Sequence, residues 1–321
     1  MKLRTSIGIL AALLASPVEL CAQVWPAKQT IKIVSPFGPG AAPESLGRPI
    51  FEHVSKQLGQ TVIWESRAGA GGTIGVAAVA KADPDGYTLL VNSSSHTVAP
   101  SLYANLRYDT IMDIAAISPL GELPVALIVP TARHQTLSAM VGIGRAKPGS
   151  LTYASAGVGS GGHLIAEKFR LAAGLEAAHA PFKGAPDTIR EIVANSLDFT
   201  FAPLGQALPL IETGQVRALA VSGTKRAALS PGLPTTVEAG YPGSASVFWI
   251  GAFAPAGTPK EIIQRLHGAI AAAVVDPAVR DVLTKLGAEP MSQSPAEFDT
   301  FVRAEIESNA KLIKAAGIKP N

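Results

Sequence analysis

The chain has 321 residues, 47% of them hydrophobic and only 16% charged, with a formal charge of +3. A chain this long and this apolar can bury one large core or two medium ones, which excludes a disordered polypeptide. It has no run of Lys or Arg to serve as a nucleic-acid footprint, and its six histidines are scattered without a zinc-binding spacing.

In chain order, Lys2 and Arg4 precede a short apolar run, Ile7–Ala15, and Ala22 offers a small residue for cleavage. This is the pattern of an export signal spanning residues 1–22. The run is too short to cross a bilayer comfortably, so no stable membrane insertion is expected. Cys21 leaves lipidation as an alternative, but Leu20 stands where a small residue would be expected. Cleavage near Ala22 leaves a mature chain without cysteine, suited to the periplasm or the cell exterior.

From Thr30 strands alternate with helices. "IKIVSPF" reads as a strand, followed by a helix with Leu46, Ile50, Val54 and Leu58 at helical spacing and Gly59 as its stop. "TVIWES", an Ala/Val-rich helix to Ala82, the Asp83–Gly86 turn and the strand "YTLLVN" follow. Further strands are expected at 125–130, 151–155, 198–202 and 216–223, with helices at 137–146, 162–173 and 186–195. The last 60 residues read as helical, with capping boxes at Thr258–Glu261 and Ser294–Glu297 and a helix start at Asp276-Pro277. Strand–helix alternation predicts parallel sheets in two α/β lobes. One lobe is placed at 23–121 plus 249–321 and the other at 122–248, with crossings near 122 and 248 as the hinge.

Gly157, Gly159 and Gly162 form a literal G-x-G-x-x-G after the strand Leu151–Ser155. A dinucleotide site also needs an acidic residue ending the next strand, and Glu176 lies in no β-rich stretch. Ser155 and Ser160 lack the glycine two residues before that a hydrolase elbow requires. What remains is a set of Gly/Ser-rich loops, each following a strand: 36–42, 92–96, 155–163, 181–187 and 202–206. Such loops offer N–H and hydroxyl donors with few fixed charges, which suits a small anion such as a carboxylate. Two or three charge-assisted hydrogen bonds of ~1.5–3 kcal/mol each would suffice for micromolar binding.

"IVSPFGPGAAPESLGR", "RAGAGGTIGVAAVAKADPDGYTLL", "LTYASAGVGSGGHLIAEKF", "PFKGAPDTIREIVANSLDFTF" and "GAFAPAGTPKEII" follow one family in order. From about Trp25 to Pro320 the chain resembles the Bug-type, TctC-like substrate-binding proteins of tripartite tricarboxylate transporters. The resemblance implies a type II periplasmic binding protein fold, α/β, closing on a small carboxylate-bearing solute. It further implies delivery to a tripartite tricarboxylate-type membrane permease, no catalysis, no cofactor and no metal, and a monomer is expected. The site residues it implies are Phe37, Gly38, Pro39, Gly40 and Ala41 in one lobe, with Asn92, Ser93, Ser94 and Ser95 lining the cleft. In the other lobe they are Ser155, Gly157, Gly159, Ser160, His163, Lys183, Gly184 and Ala202.

The chain departs from that family's pattern at several of these positions. P-P-G-G-x-x-D becomes Gly38-Pro39-Gly40-Ala41-Ala42-Pro43-Glu44, P-Y-K-G becomes Pro181-Phe182-Lys183-Gly184, and F-D-N becomes Phe201-Ala202-Pro203. A cleft with fewer polar handles is expected, fitting a ligand with an apolar or aromatic body and one carboxylate end. Two alternatives use the same lobes: a sensor presenting its ligand to a membrane kinase, and a periplasmic enzyme acting on a carboxylate.

Overall fold

The computed structural model describes residues 25–182 and 184–320; the expected export signal lies outside them. The chain begins with β1 (Ile31–Ser35), α1 (Ala42–Leu58), β2 (Val62–Ser66), α2 (Thr73–Ala80), β3 (Thr88–Ser93), the short α3 (Ala99–Leu102) and β4 (Ile114–Leu123). It continues with β5 (Val125–Pro130), α4 (Leu137–Ala146), β6 (Leu151–Ser155), α5 (Gly161–Ala172), β7 (Ala177–Pro181), α6 (Ala185–Val193), β8 (Phe199–Pro203), α7 (Leu204–Glu212) and β9 (Val216–Val221). It returns through β10 (Phe248–Pro255) and ends with α8 (Lys260–Val275), α9 (Pro277–Lys285) and α10 (Pro295–Ala315).

These strands form two five-stranded sheets, β2-β1-β3-β10-β4 and β7-β6-β8-β5-β9. Both are mixed, which corrects the expectation of parallel sheets. β1 runs parallel to β2 and β3, but β10 runs antiparallel to β3 and β4. In the second sheet β6 is parallel to β7 and β8, while β5 is antiparallel to β8 and β9. The reason is connectivity. β10 arrives from the other sheet rather than through a helix crossover, so the right-handed crossover rule does not set its direction.

β4 carries Pro119 and Gly121, and its pairing with β10 shifts register twice. Such interruptions hide a strand from hydrophobic periodicity, and β4 went unpredicted for that reason. The helix ends follow local chemistry more closely. α1 stops at Gly59, whose φ of +66° lets the turn fold back to the Lys56 and Ser55 carbonyls. Asp276 caps α9 through Ala278 and Val279 N–H, and the Ser294–Glu297 capping box forms in full. The Thr258 box does not form: its hydroxyl donates to the Pro255 carbonyl and Pro259 takes the cap position. A turn acceptor two or three residues back competes with the helix for a threonine hydroxyl.

Both sheets are covered on both faces, as partly parallel sheets require. In the first, α1 and α8 bury Leu46, Ile50, Leu266 and Ile270 on one face, and Trp249, Phe253 and Phe298 pack on the other. In the second, Met140, Tyr153 and Phe169 fill one face and Ile128, Ile189 and Ile192 the other. A fifth apolar cluster joins the lobes: Val98 and Leu102 after β3, and Ile313 of α10, meet Leu164 of α5.

Candidate ligand-binding site

β1 delivers the chain into the loop 36–41 and then α1. Gly40 turns it with a φ of +76°, its N–H donates to Glu44 Oε2 at 3.1 Å, and Ser45 Oγ donates to the Gly40 carbonyl at 2.8 Å. Glu44 is fixed in turn by Arg48, whose Nε donates to Oε1 at 2.9 Å. Gly38 and Gly40 face open space, since a methyl added to either would meet nothing within 4 Å. Ala41 brings no side-chain acceptor to the start of α1 and Pro43 has no N–H, so the Ala42 and Glu44 N–H groups of the first turn stay available.

The turn after β3 is largely self-satisfied. Asn92 Oδ1 accepts from Ser93 N–H at 2.8 Å, and the Ser93 and Ser95 hydroxyls lie 2.8 Å apart. Ser94 is buried as well. Behind them the His96 ring packs on Phe253 at 4.6 Å between centroids, and burial lowers its pKa to about 4. The turn therefore carries no positive charge at neutral pH from that imidazole.

In the second lobe β6 ends at Ser155, and Gly157 and Gly159, with φ of +116° and +78°, shape the loop to α5. The conformations are ones that glycine adopts without penalty. Gly157 N–H donates to Ser155 Oγ at 3.2 Å, and Ser160 caps α5 by accepting from His163 N–H. His163, Glu167 and Arg170 share one helix stripe, on which Glu167 accepts from the Tyr153 hydroxyl of β6 and from Arg170. The His163 ring stacks on His179 at 4.1 Å, His179 stacks on Tyr153 at 4.8 Å, and His179 Nε2 lies 2.7 Å from Ser155 Oγ. Burial, aided by His179, lowers the His163 pKa to about 4. Burial opposes charge on Glu167 too, but hydrogen bonds from Arg170 and Tyr153 outweigh it and hold that carboxyl below its ordinary range.

The side chains of Ser155 and His163 thus turn into their own lobe, and both residues are buried, with the Ser155 carbonyl accepting from Phe182 N–H and the His163 N–H donating to Ser160. A Ser–His pair is present, yet Ser155 is 1% exposed, which does not suit a nucleophile. Ala202 is fully buried among Ala126, Ile128 and Ile192. Strand alternation sends Phe201 to one face of the sheet and Ala202 to the other, away from the loop ends. Gly184, in extended backbone, begins α6 with no side-chain cap and little around it, while Lys183 lies outside the described residues.

The fold brings the two lobes' loops together. A methyl at Gly159 would stand 2.3 Å from Leu102 Cδ1 and 3.8 Å from Val98 Cγ1, so the α5 loop rests on the segment following the Asn92–Ser95 turn. Where the chain crosses back to the first sheet, a methyl at Gly161 would stand 2.4 Å from the Phe248 ring. Sequence reading passed over Val98, Leu102 and Phe248, because apolar residues at element ends carry no signature that separates a site wall from a core. Among the described residues no group of three or more His, Cys, Asp or Glu could hold a metal ion. None of the described helices alone is long and apolar enough to cross a membrane.

Comparison with known proteins agrees with this architecture. Residues 46–318 match the family model TctC, described as the tripartite tricarboxylate transporter family receptor. The structure of Rpa4515 from R. palustris with adipate is similar, with 32% identity and a TM-score of 0.83, covering 92% of this chain and 100% of that one. The periplasmic binding protein BugD is similar at 29% identity and a TM-score of 0.80, over 92% and 99% of the two chains. MatC from Rhodopseudomonas palustris with bound malate is similar at 30% identity and a TM-score of 0.79, over 89% and 99%. The two-lobed α/β fold, the glycine loops at the strand ends and the match over most of its length place this chain in the TctC family, among the Bug-type substrate-binding proteins.

Proposed function

We propose that this chain is a periplasmic receptor that captures a small carboxylate-bearing metabolite between its lobes and delivers it to a tripartite tricarboxylate-type permease. The observation that carries the reading is the docking of the Gly157–Ser160 loop, which leads into α5, onto the segment just past the Asn92–Ser95 turn. Backbone donors at the starts of α1 and α5 then supply the anion-binding groups, as helix N-termini do. Phe37, Gly38, Pro39, Gly40 and Ala41 act from the first lobe, and the Gly161 and Gly162 N–H groups with Gly184 from the second, where the N–H groups of Gly157, Gly159 and Ser160 are taken up in shaping the loop. Adipate in Rpa4515 and malate in MatC are ligands of the expected class. The role is binding as a monomer without turnover, and the ligand carries an apolar body behind its carboxylate, because the loops hold few ionisable side chains.

Thermal shift and calorimetry on the purified mature chain test this, with adipate, malate, hexanoate and benzoate as probes and hexanamide as the uncharged control. A bound carboxylate at 100 times its Kd adds about 2.7 kcal/mol to stability, a readily measured rise in Tm. If none of the four acids shifts Tm or releases heat, the reading fails. Mass spectrometry of the small molecules that accompany the protein from its own periplasm then identifies the ligand.

A further inference from the structure

Phe248 opens β10, where the chain re-enters the first sheet from the second, and pairs with Leu123 of the outgoing strand β4. Its partly exposed ring packs against the hydrophobic cores of both sheets, so it sits on the floor between the lobes. The same ring lies across the start of α5: a methyl at Gly161 would stand 2.4 Å from Phe248 Cδ2 and 2.5 Å from Cε2. Gly161 is the first helical residue after the Ser160 cap, and the N–H groups of this first turn have no partner within the helix.

We infer that Phe248 is a specificity-determining residue that forms an apolar wall beside the carboxylate position at the start of α5. It selects ligands whose carbon next to that carboxylate carries hydrogen, not a hydroxyl or amino group. This rests on the carboxylate reading above and adds to it which substituents the cleft rejects. A carboxylate held by the first-turn N–H groups brings its neighbouring carbon toward the phenyl ring. Against the ring there the structure places the Gly161 α-carbon, and neither it nor the phenyl face offers a hydrogen-bond partner. A hydroxyl on that carbon loses its water and gains no replacement partner. Only glycine fits at position 161 while the ring keeps its place, so backbone and ring are matched to one another.

Butanoate and 2-hydroxybutanoate differ only by such a hydroxyl, as do hexanoate and 2-hydroxyhexanoate. An apolar wall rejects an added hydroxyl by at most about 100-fold, so calorimetry is expected to give a 10- to 100-fold preference for the unsubstituted acid in each pair. Phe248→Ser should bring each ratio to within about threefold, and Phe248→Leu should keep it above about tenfold. Circular dichroism and ligand-free Tm establish that each variant is folded. If Phe248→Ser does not fold, the wild-type and Phe248→Leu ratios decide. Equal affinity of the wild type for both members of each pair overturns the inference, and so does an unchanged ratio in folded Phe248→Ser, while leaving carboxylate binding intact. Absence of binding by any of these acids and by adipate, malate and benzoate overturns the carboxylate reading and this inference together.

Discussion

Gly159 and Leu102 touch across the two lobes so closely that a side chain at position 159 would have to enter the space of the leucine. The glycine of a dinucleotide-like spacing therefore permits this contact: its missing side chain lets one lobe's loop lie flat on the other lobe.

Gly159→Ala is expected to weaken carboxylate binding by about tenfold or more, because the added methyl meets Leu102 and the φ of +78° disfavours any side chain. Pairing it with Leu102→Ala separates the two causes. Affinity that recovers in the double variant identifies the lobe contact; affinity that stays low identifies backbone strain. Calorimetry reads both.

Trp249 Nε1 donates to Glu305 Oε2 at 2.7 Å in the first lobe, and Thr97 Oγ1 donates to the same oxygen at 3.4 Å. Burial raises the Glu305 pKa despite those bonds and the charge of Lys168 on α5. A carboxyl raised on folding lowers stability as pH climbs from its unfolded value through its folded one. Glu305→Gln keeps an acceptor for the indole, so its Tm relative to wild type should rise at pH 8 compared with pH 4. A difference in Tm that does not move with pH would show that the carboxyl titrates normally.

Burial lowers both His163 and His96 to a pKa of about 4, against 6.5 for a free imidazole. Each holds its proton less well folded than unfolded, so the stability tied to it is complete above pH 6.5 and is lost as pH falls toward 4. His163 is also faced by His179, Glu167 and Arg170, with Glu167 favouring the proton and the other two opposing it. His163→Gln should flatten the fall of Tm between pH 6.5 and 4 without removing it, since His96 remains. An identical slope in the variant would refute the assignment.

Ser294 accepts from Glu297 N–H, and Glu297 accepts from Ser294 N–H in return. Ser294→Ala should cost about 1 kcal/mol, seen as a lower denaturation midpoint at unchanged slope. Because α10 carries Ile313 into the apolar cluster between the lobes, calorimetry on the same variant tests whether this loss reaches ligand affinity.

Local chemistry made much of the fold legible. Leu46, Ile50 and Val54 recur at helical spacing and are buried on one face of α1, and Asp276 and Ser294 cap the helices they precede. β7 was invisible, because "AAHAP" is a half-buried edge strand without large apolar residues. β4 was hidden by Pro119 and Gly121. Of the site, the glycine loops were legible because a turn with positive φ needs glycine wherever it lies in the chain.

The sequence by itself determined most of the helices, strands and donor-rich loops, since periodicity, caps and glycines act over a few residues. Only the tertiary structure decided which way those groups face. His163 lies in the loop-to-helix stretch that sequence assigned to the ligand, yet its ring stacks on His179, 16 residues further on in a neighbouring strand. Ala202 turns inward because strand alternation points it to the sheet face that α6 and α7 cover. Phe248 reaches the α5 start because strand pairing returns β10 beside β4 at the crossing between lobes. Contacts between residues so distant in the chain arise from sheet pairing and lobe docking, which no local pattern encodes.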